Sequence, residues 1–457
     1  MGKRRHNPVV WSEMLSRSLQ FDPLSPRWTE IPTQPGVFAL FAADPQAEPY
    51  LSRTPNLHNR LRRLLDPRPD QSKRLRLAQS TARIEYSLTG SEFESQLLLY
   101  QASMQAFGDR ARKRLHLRPP VLLRMSMENA YPRVYVTNKV TKKAAPNLFG
   151  PWPSRSAAET FLEAMLNLFD LRRCVDDLNP DPAFPGCVYS EMKKCLAPCF
   201  KGCTDERYAE EAAAVHAFLA THGESRTAQF AAQRDQASAD LDFERAAEIH
   251  ARLAKVEAAA GLMPQAVHAL AQLTGLLIQR SAEPEQVSLF LLTQGALAGP
   301  VPYSVAGMRH QNEQSGSSSL FAQPMAIAPV PLDESGAAAV TLATRDELES
   351  RLDEAIAALA ERSHSNGVVS GHGFSRAEKG PKSSGGFAPE GAQTADHLSL
   401  FARWYYRPQA KRIGEVCFAL PDGSLPKKAI LRAISRVYKT SSTGTSATSG
   451  QSSQSSA

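Results

Sequence analysis

The chain has 457 residues, 42% of them hydrophobic and 22% charged, with a formal charge of +7. That length implies roughly two to four domains. It holds no run of about 18 apolar residues of the kind that spans a membrane. Met1–Trp11 is basic but lacks the apolar core of about 7–15 residues that a secretory signal needs. The expectation is a cytoplasmic protein with no membrane association, whose six cysteines are free thiols or metal ligands rather than disulfides.

Charge is unevenly spread. Residues 51–118 carry 14 Lys/Arg against 6 Asp/Glu, and residues 402–439 carry 9 against 2. Two basic blocks on a neutral to acidic body fit a polyanion partner such as DNA or RNA, or a solvated basic face.

In chain order, residues 1–31 read as an N-terminal extension. Residues 32–110 read as a small α/β domain. Gly36–Leu40 and Pro49–Leu51 are short strands, and Asn56–Leu65 is a helix with arginines opposite its apolar face. Ala82–Leu88 alternates as a strand, and Glu92–Phe107 is a second helix. Residues 117–204 contain the strands Val121–Met125 and Arg133–Val140. They continue into a helix at Ser156–Phe169, capped by Ser154 or Ser156, and a cysteine-bearing loop. Residues 205–262 are rich in Ala, Glu, Gln and Arg and read as helices. Strands at Leu273–Ile278, Val287–Leu292 and Val301–Val305 and a helix at Arg345–Arg362 form a further α/β unit in 263–362. The Gly/Ser/Pro-rich stretch 363–395 reads as a flexible insertion. Order returns in the basic segment 396–439, and 440–457 is a low-complexity tail. The fold class is α+β, with several domains.

The cysteine loop carries the sharpest chemical signal. Cys174, Cys187, Cys195 and Cys199 are spaced C-x12-C-x7-C-x3-C, with Cys203 four residues on. Thiolates at this density suit zinc or an iron–sulfur centre, although the spacing fits no common zinc finger and buried free thiols are the bland alternative. Further on, Asp242 is placed to cap a helix whose apolar residues recur at Ala246, Ile249, Leu253, Val256 and Ala260. This narrow seam suits either a partner helix pair or an internal hairpin.

Leu241-Asp-Phe-Glu-Arg-Ala-Ala247 resembles the UVR motif, with Leu241, Phe243, Glu244, Arg245, Ala246 and Ala247 as its core. Tyr131–Thr137, Leu148–Trp152 and Leu168–Cys174 resemble three consecutive blocks of the UvrC family of excinucleases. The likeness runs well over residues 32–262 and faintly to about 439. It implies a [4Fe-4S] cluster on Cys174, Cys187, Cys195 and Cys199, docking on the helicase UvrB through the UVR motif, DNA as substrate, and a GIY-YIG nuclease at residues 32–110.

The nuclease positions depart from that pattern. Gly36-Val-Phe38 puts Phe38 where the family has a tyrosine. Tyr50 survives in the second block, but Ser52 replaces its glycine. Arg53 and Arg60 match the basic and catalytic arginine positions. The glutamate that holds Mg²⁺ or Mn²⁺ falls at Leu99, which offers a hard cation no oxygen; Glu92 or Glu94 takes its place only if the register shifts. What remains is a phosphate-binding surface at Arg53, Arg60, Arg62 and Arg63. Nothing after Lys439 matches the family's C-terminal RNase H-like nuclease or its helix-hairpin-helix readers. The reading is a DNA-binding repair accessory with weakened or lost incision. The rivals are an active short UvrC-type endonuclease and a UVR adaptor of protein quality control. His397–Phe401 also resembles a sliding-clamp pentapeptide, but suits the start of an amphipathic helix better. Lys427–Lys439 is either a phosphate-contacting segment or a solvated helix face.

Overall fold

In the computed structural model, the described residues are 14–44, 46–66, 77–175, 178–308, 343–368 and 391–446. They form three four-stranded antiparallel sheets. The first has the order β1-β4-β2-β3, from β1 (Arg17–Gln20), β2 (Gly36–Ala42), β3 (Tyr50–Thr54) and β4 (Thr81–Leu88). β1 lies inside the stretch that composition assigns to an extension. It pairs with β4 because Leu15 buries its side chain beside Val37 and Ala39.

Alternation along β2 divides its side chains between two helices. Phe38 and Leu40 meet Leu57, Leu61, Leu64 and Leu65 of α1 (Leu57–Leu65). Val37 and Ala39 meet Leu98 and Leu99 of α2 (Glu92–Phe107). Asn56 caps α1 by accepting from the Asn59 amide, and Ser91 caps α2 by accepting from the Glu94 amide. Both are the short polar residues that satisfy otherwise unpaired first-turn donors.

The second sheet runs β6-β5-β7-β8, from β5 (Val121–Met125), β6 (Val134–Thr137), β7 (Leu148–Trp152) and β8 (His268–Ala269). Three helices share one core with it: α4 (Arg155–Leu166, capped by Ser154), α6 (Asp205–Ala220) and α8 (Phe243–Ala260). Between α4 and α6 runs the cysteine loop, interrupted by one turn, α5 (Val188–Glu191). The short α3 (Arg110–Arg114) follows α2, and α7 (Glu224–Ala239) folds back along α8 as a hairpin.

The third sheet runs β11-β10-β9-β12, from β9 (Thr274–Arg280), β10 (Gln286–Thr293), β11 (Ala296–Ser304) and β12 (Glu415–Phe418). Its central strands are nearly continuous apolar runs because both faces are covered. Leu277, Phe290 and Leu292 meet α10 (Ala392–Tyr405). Leu276, Ile278 and Leu289 meet α9 (Arg345–Val368) and α11 (Lys427–Ser446). Three boundaries around the expected insertion and tail move: α9 runs on to Val368, α10 begins at Ala392 rather than at 396, and α11 runs on to Ser446. Residues 369–390 and 447–457, assigned to the insertion and the tail, lie outside the described residues.

α2 is the joint between the units. Its Phe93, Leu97 and Tyr100 enter the core of the third sheet. The Phe93 ring lies 5.2 Å from Phe290, edge-on, and 5.4 Å from Trp404. In the turn before α2, a Cβ on Gly90 would sit 2.1 Å from the Arg280 carbonyl oxygen, so this approach requires glycine. Asp396 of α10 accepts from Arg112 Nε at 2.7 Å and from the Tyr100 hydroxyl at 2.9 Å.

Truncating Phe93 to alanine leaves a cavity at this joint. Phe93→Ala is expected to lower stability by about 3–5 kcal/mol, read as an earlier urea midpoint, with no separate early transition of the first sheet in the parent chain.

Candidate nucleic-acid and cofactor sites

β3 and α1 carry most of the residues that the sequence resemblance assigns to a nuclease site. Pairing sets Phe38 opposite Ser52 and Leu40 opposite Tyr50. Tyr50 is exposed, with its ring 6.2 Å from that of Phe38, which is fully buried and has no hydroxyl. Arg60 is half-buried on α1, and Arg62 and Arg63 are exposed. Among the described residues Arg60 and Arg63 form no ion pair, whereas Arg62 stands 3.9 Å from Asp66. Arg53 points to the other face of the sheet, where Glu92 meets it at 3.1 Å. The four arginines therefore do not act as one patch.

Position 99 is apolar in its surroundings as well as its side chain. Leu99 packs with Leu98 against Leu15, Val37 and Ala39. Neither nearby glutamate replaces it. Glu92 accepts from Arg53 and Gln96 and, through both oxygens, from Arg407. The Arg407 bond first, then the two positive charges, hold its carboxyl down at about 2. Arg407 comes from the far basic block, and only tertiary structure brings it here.

Glu94, two residues on, faces elsewhere. It is buried, and it accepts from the Gly90 amide at 2.8 Å beside a cavity of about 250 Å³ that Ser288 of β10 also lines. Burial pushes its pKa up to about 7, only partly opposed by the bonds from Gly90, Ser91 and Ser288. Neither carboxylate bonds to Tyr50 or Arg60.

The cysteine loop draws four thiols together. Cys195 lies within electrostatic reach of Cys174, Cys187 and Cys199, and burial, before these neighbours, raises its thiol to about 11. Cys199 likewise feels Cys187 and Cys174. The Ala197 amide points at Cys195 Sγ at 3.3 Å, and Arg172 Nη1 lies 3.6 Å from Cys174 Sγ. Cys203 turns toward the second sheet's core and Asp205. Among the described residues no group of three or more His, Cys, Asp or Glu side chains is arranged to hold a metal ion.

The α7–α8 hairpin leaves an apolar tip in solvent. Leu241 is 73% exposed at φ +60°, and Phe243 is 65% exposed. Glu244, Arg245 and Ala247 are exposed beside it, and Ala246 is half-buried. Asp242 caps α8, accepting from the Arg245 amide at 3.1 Å, while Ile249, Leu253 and Val256 are buried along the seam. The His397–Phe401 pentapeptide is closed off: His397, Leu398, Leu400 and Phe401 are all buried in α10. Among the described residues no helix is long and apolar enough to cross a membrane.

Comparison with known proteins fits this architecture. Residues 121–218 match the family described as UvrC/Cho excinuclease, middle domain. The UvrABC system protein C of Idiomarina loihiensis is 29% identical over 230 residues, 48% of this chain and 36% of that protein. The one from Pseudomonas syringae matches at the same identity and coverage. The one from Brucella abortus is 30% identical over 250 residues, 52% of this chain and 39% of that protein. No solved structure matches significantly. The chain is therefore UvrC-like over about half its length, and the aligned part spans well under half of those relatives.

The pH response of the Glu94 seam follows from its environment. An acid whose folded pKa is raised favours the protonated form on folding. Its contribution is therefore present below the unfolded value near 4.5 and is lost as pH rises through about 7. Glu94→Gln keeps the acceptor for Gly90 and removes the charge. It is expected to flatten unfolding free energy between those pH values and to exceed the parent above pH 7, by up to about 3 kcal/mol. Superimposable pH profiles from chemical denaturation would refute this.

Proposed function

We propose that the chain is a DNA-binding component of nucleotide-excision repair. In this reading its N-terminal domain is a GIY-YIG-like fold that grips phosphates without cutting. One observation carries the proposal: the metal position is occupied by Leu99, packed on hydrocarbon, while both oxygens of Glu92 are taken by arginines and Glu94 is buried on another side. Phosphodiester cleavage by this kind of site needs a cation that stabilises developing charge and a group that orients the attacking water. With a leucine and a phenylalanine at those positions, the residues do not fit a divalent cation. No step is assigned to one.

Arg60 and Arg63 remain able to pair with phosphate oxygens. The exposed tip at Leu241 and Phe243, on a hairpin whose seam is already internally packed, presents a surface for a helical partner, which we assign to UvrB. This assignment is preferred over an adaptor of protein quality control because the chain also carries the UvrC/Cho middle domain. Cys174, Cys187, Cys195 and Cys199 are assigned to a [4Fe-4S] cluster. Cys195 lies within electrostatic reach of the other three thiols, and soft sulfur ligands at this density suit an iron–sulfur centre. Bound there, the cluster supplies a rigid cross-link between the ends of a loop with little regular structure.

Two measurements test the reading. Incubated with damaged duplex, purified UvrB and Mg²⁺ or Mn²⁺, the protein is expected to bind DNA without nicking it; nicking that Arg60→Ala abolishes would overturn the loss of incision. Purified without oxygen, it is expected to be brown, with about four irons per chain, and Cys195→Ala is expected to lose that colour. Colourless protein holding one zinc would refute the cluster.

A further inference from the structure

A groove of about 1360 Å³ opens between α11 and the turn of residues 409–414 that leads into β12. Among the described residues, seven of its lining side chains are arginine or lysine, and one, Glu415, is a carboxylate. Arg436 already engages Glu415 through two bonds of 2.8 and 2.6 Å. Lys428 and Arg432 stand one turn apart and exposed on α11. Arg280 closes the end of β9 across from them. These three form no ion pair among the described residues, whereas Arg436 and Arg345 are paired with Glu415 and Glu349.

The groove also offers rings. Tyr405 and Phe418, both half-buried, line it with ring centroids 5.9 Å apart. Tyr405 stacks on Phe401, with centroids 5.5 Å apart, and the Arg412 guanidinium covers it at 5.1 Å, so the plane that this cluster offers the groove is that of Arg412. Cationic walls track a phosphodiester backbone, and aromatic and guanidinium planes stack unpaired bases. Duplex DNA keeps its bases stacked inside and would use only the cations. We propose that this groove binds a single-stranded stretch of nucleic acid. The proposal rests on the reading that the chain engages DNA, and fixes a second place and the form of strand held there.

The test uses the full chain and fluorescence anisotropy with a labelled oligothymidine and a duplex of equal length, each over a salt series. Lys428→Gln/Arg432→Gln, both exposed, is expected to weaken single-strand binding at least about tenfold. It should also reduce the slope of log affinity against log salt by about 1.4, which is about 0.7 for each cation removed. Tyr405→Leu is expected to weaken single-strand binding several-fold at an unchanged salt slope and to leave duplex binding alone, with Tyr405→Phe restoring it. Parent-like single-strand binding by the Lys428/Arg432 variant would overturn the groove. If Arg60→Gln/Arg63→Gln then abolished binding, the N-terminal contact would still stand. Equal weakening on both DNA forms, with Tyr405→Leu silent, would overturn the single-strand assignment.

Discussion

The packing of α2 between two sheets is the constraint on which the rest depends. A helix exposed on one side carries an apolar stripe; one that is covered on two sides is apolar around most of its circumference. α2 is of the second kind. Leu98 and Leu99 face the first sheet, and Phe93, Leu97 and Tyr100 face the third. Most positions on this helix are therefore committed to a contact before chemistry is considered. A carboxylate at position 99 would have to displace hydrocarbon packed on Val37 and Ala39.

The same packing divides the two acidic residues of the first turn. Glu92 emerges at the rim, where Arg53 from the first sheet and Arg407 from beyond α10 converge on it, and it stays ionised. Glu94 is carried inward against β10, where burial favours its neutral form. Neighbours in sequence, they have opposite electrostatics because one helical turn aims them at different surroundings. A consequence is that the first sheet is fastened to the rest of the chain through Phe93, Leu97 and Tyr100, on another side of α2 than the one that carries Leu99.

The proposed functions are accordingly spread over separate surfaces: the arginines of α1, the thiols of the cysteine loop, the apolar tip of the hairpin, and the basic groove beside α11. The middle domain that carries the family likeness supplies the sheet and helices from which the cysteine loop and the hairpin extend. It positions both without contributing to the first sheet's site.

Local pattern was enough to determine much of this. The strand at Gly36, the capping by Asn56, Ser154 and Asp242, the four-cysteine spacing, the seam from Ala246 to Ala260 and the oxygen-poor position 99 are all set by residues a few places apart, and short-range physics governs them. Tertiary structure alone decided the rest. Arg53 turned out to be neutralised by Glu92, 39 residues away, which it shares with Arg407 from 315 residues further along the chain. Arg280 joined Lys428 and Arg432 across a groove. The strand at Arg17 proved part of a sheet, and the clamp-like pentapeptide was buried. A charge or an apolar run in a sequence states what a side chain prefers, but its partner is chosen by the packing of distant segments. For this chain much of that choice was made by α2, held between two sheets.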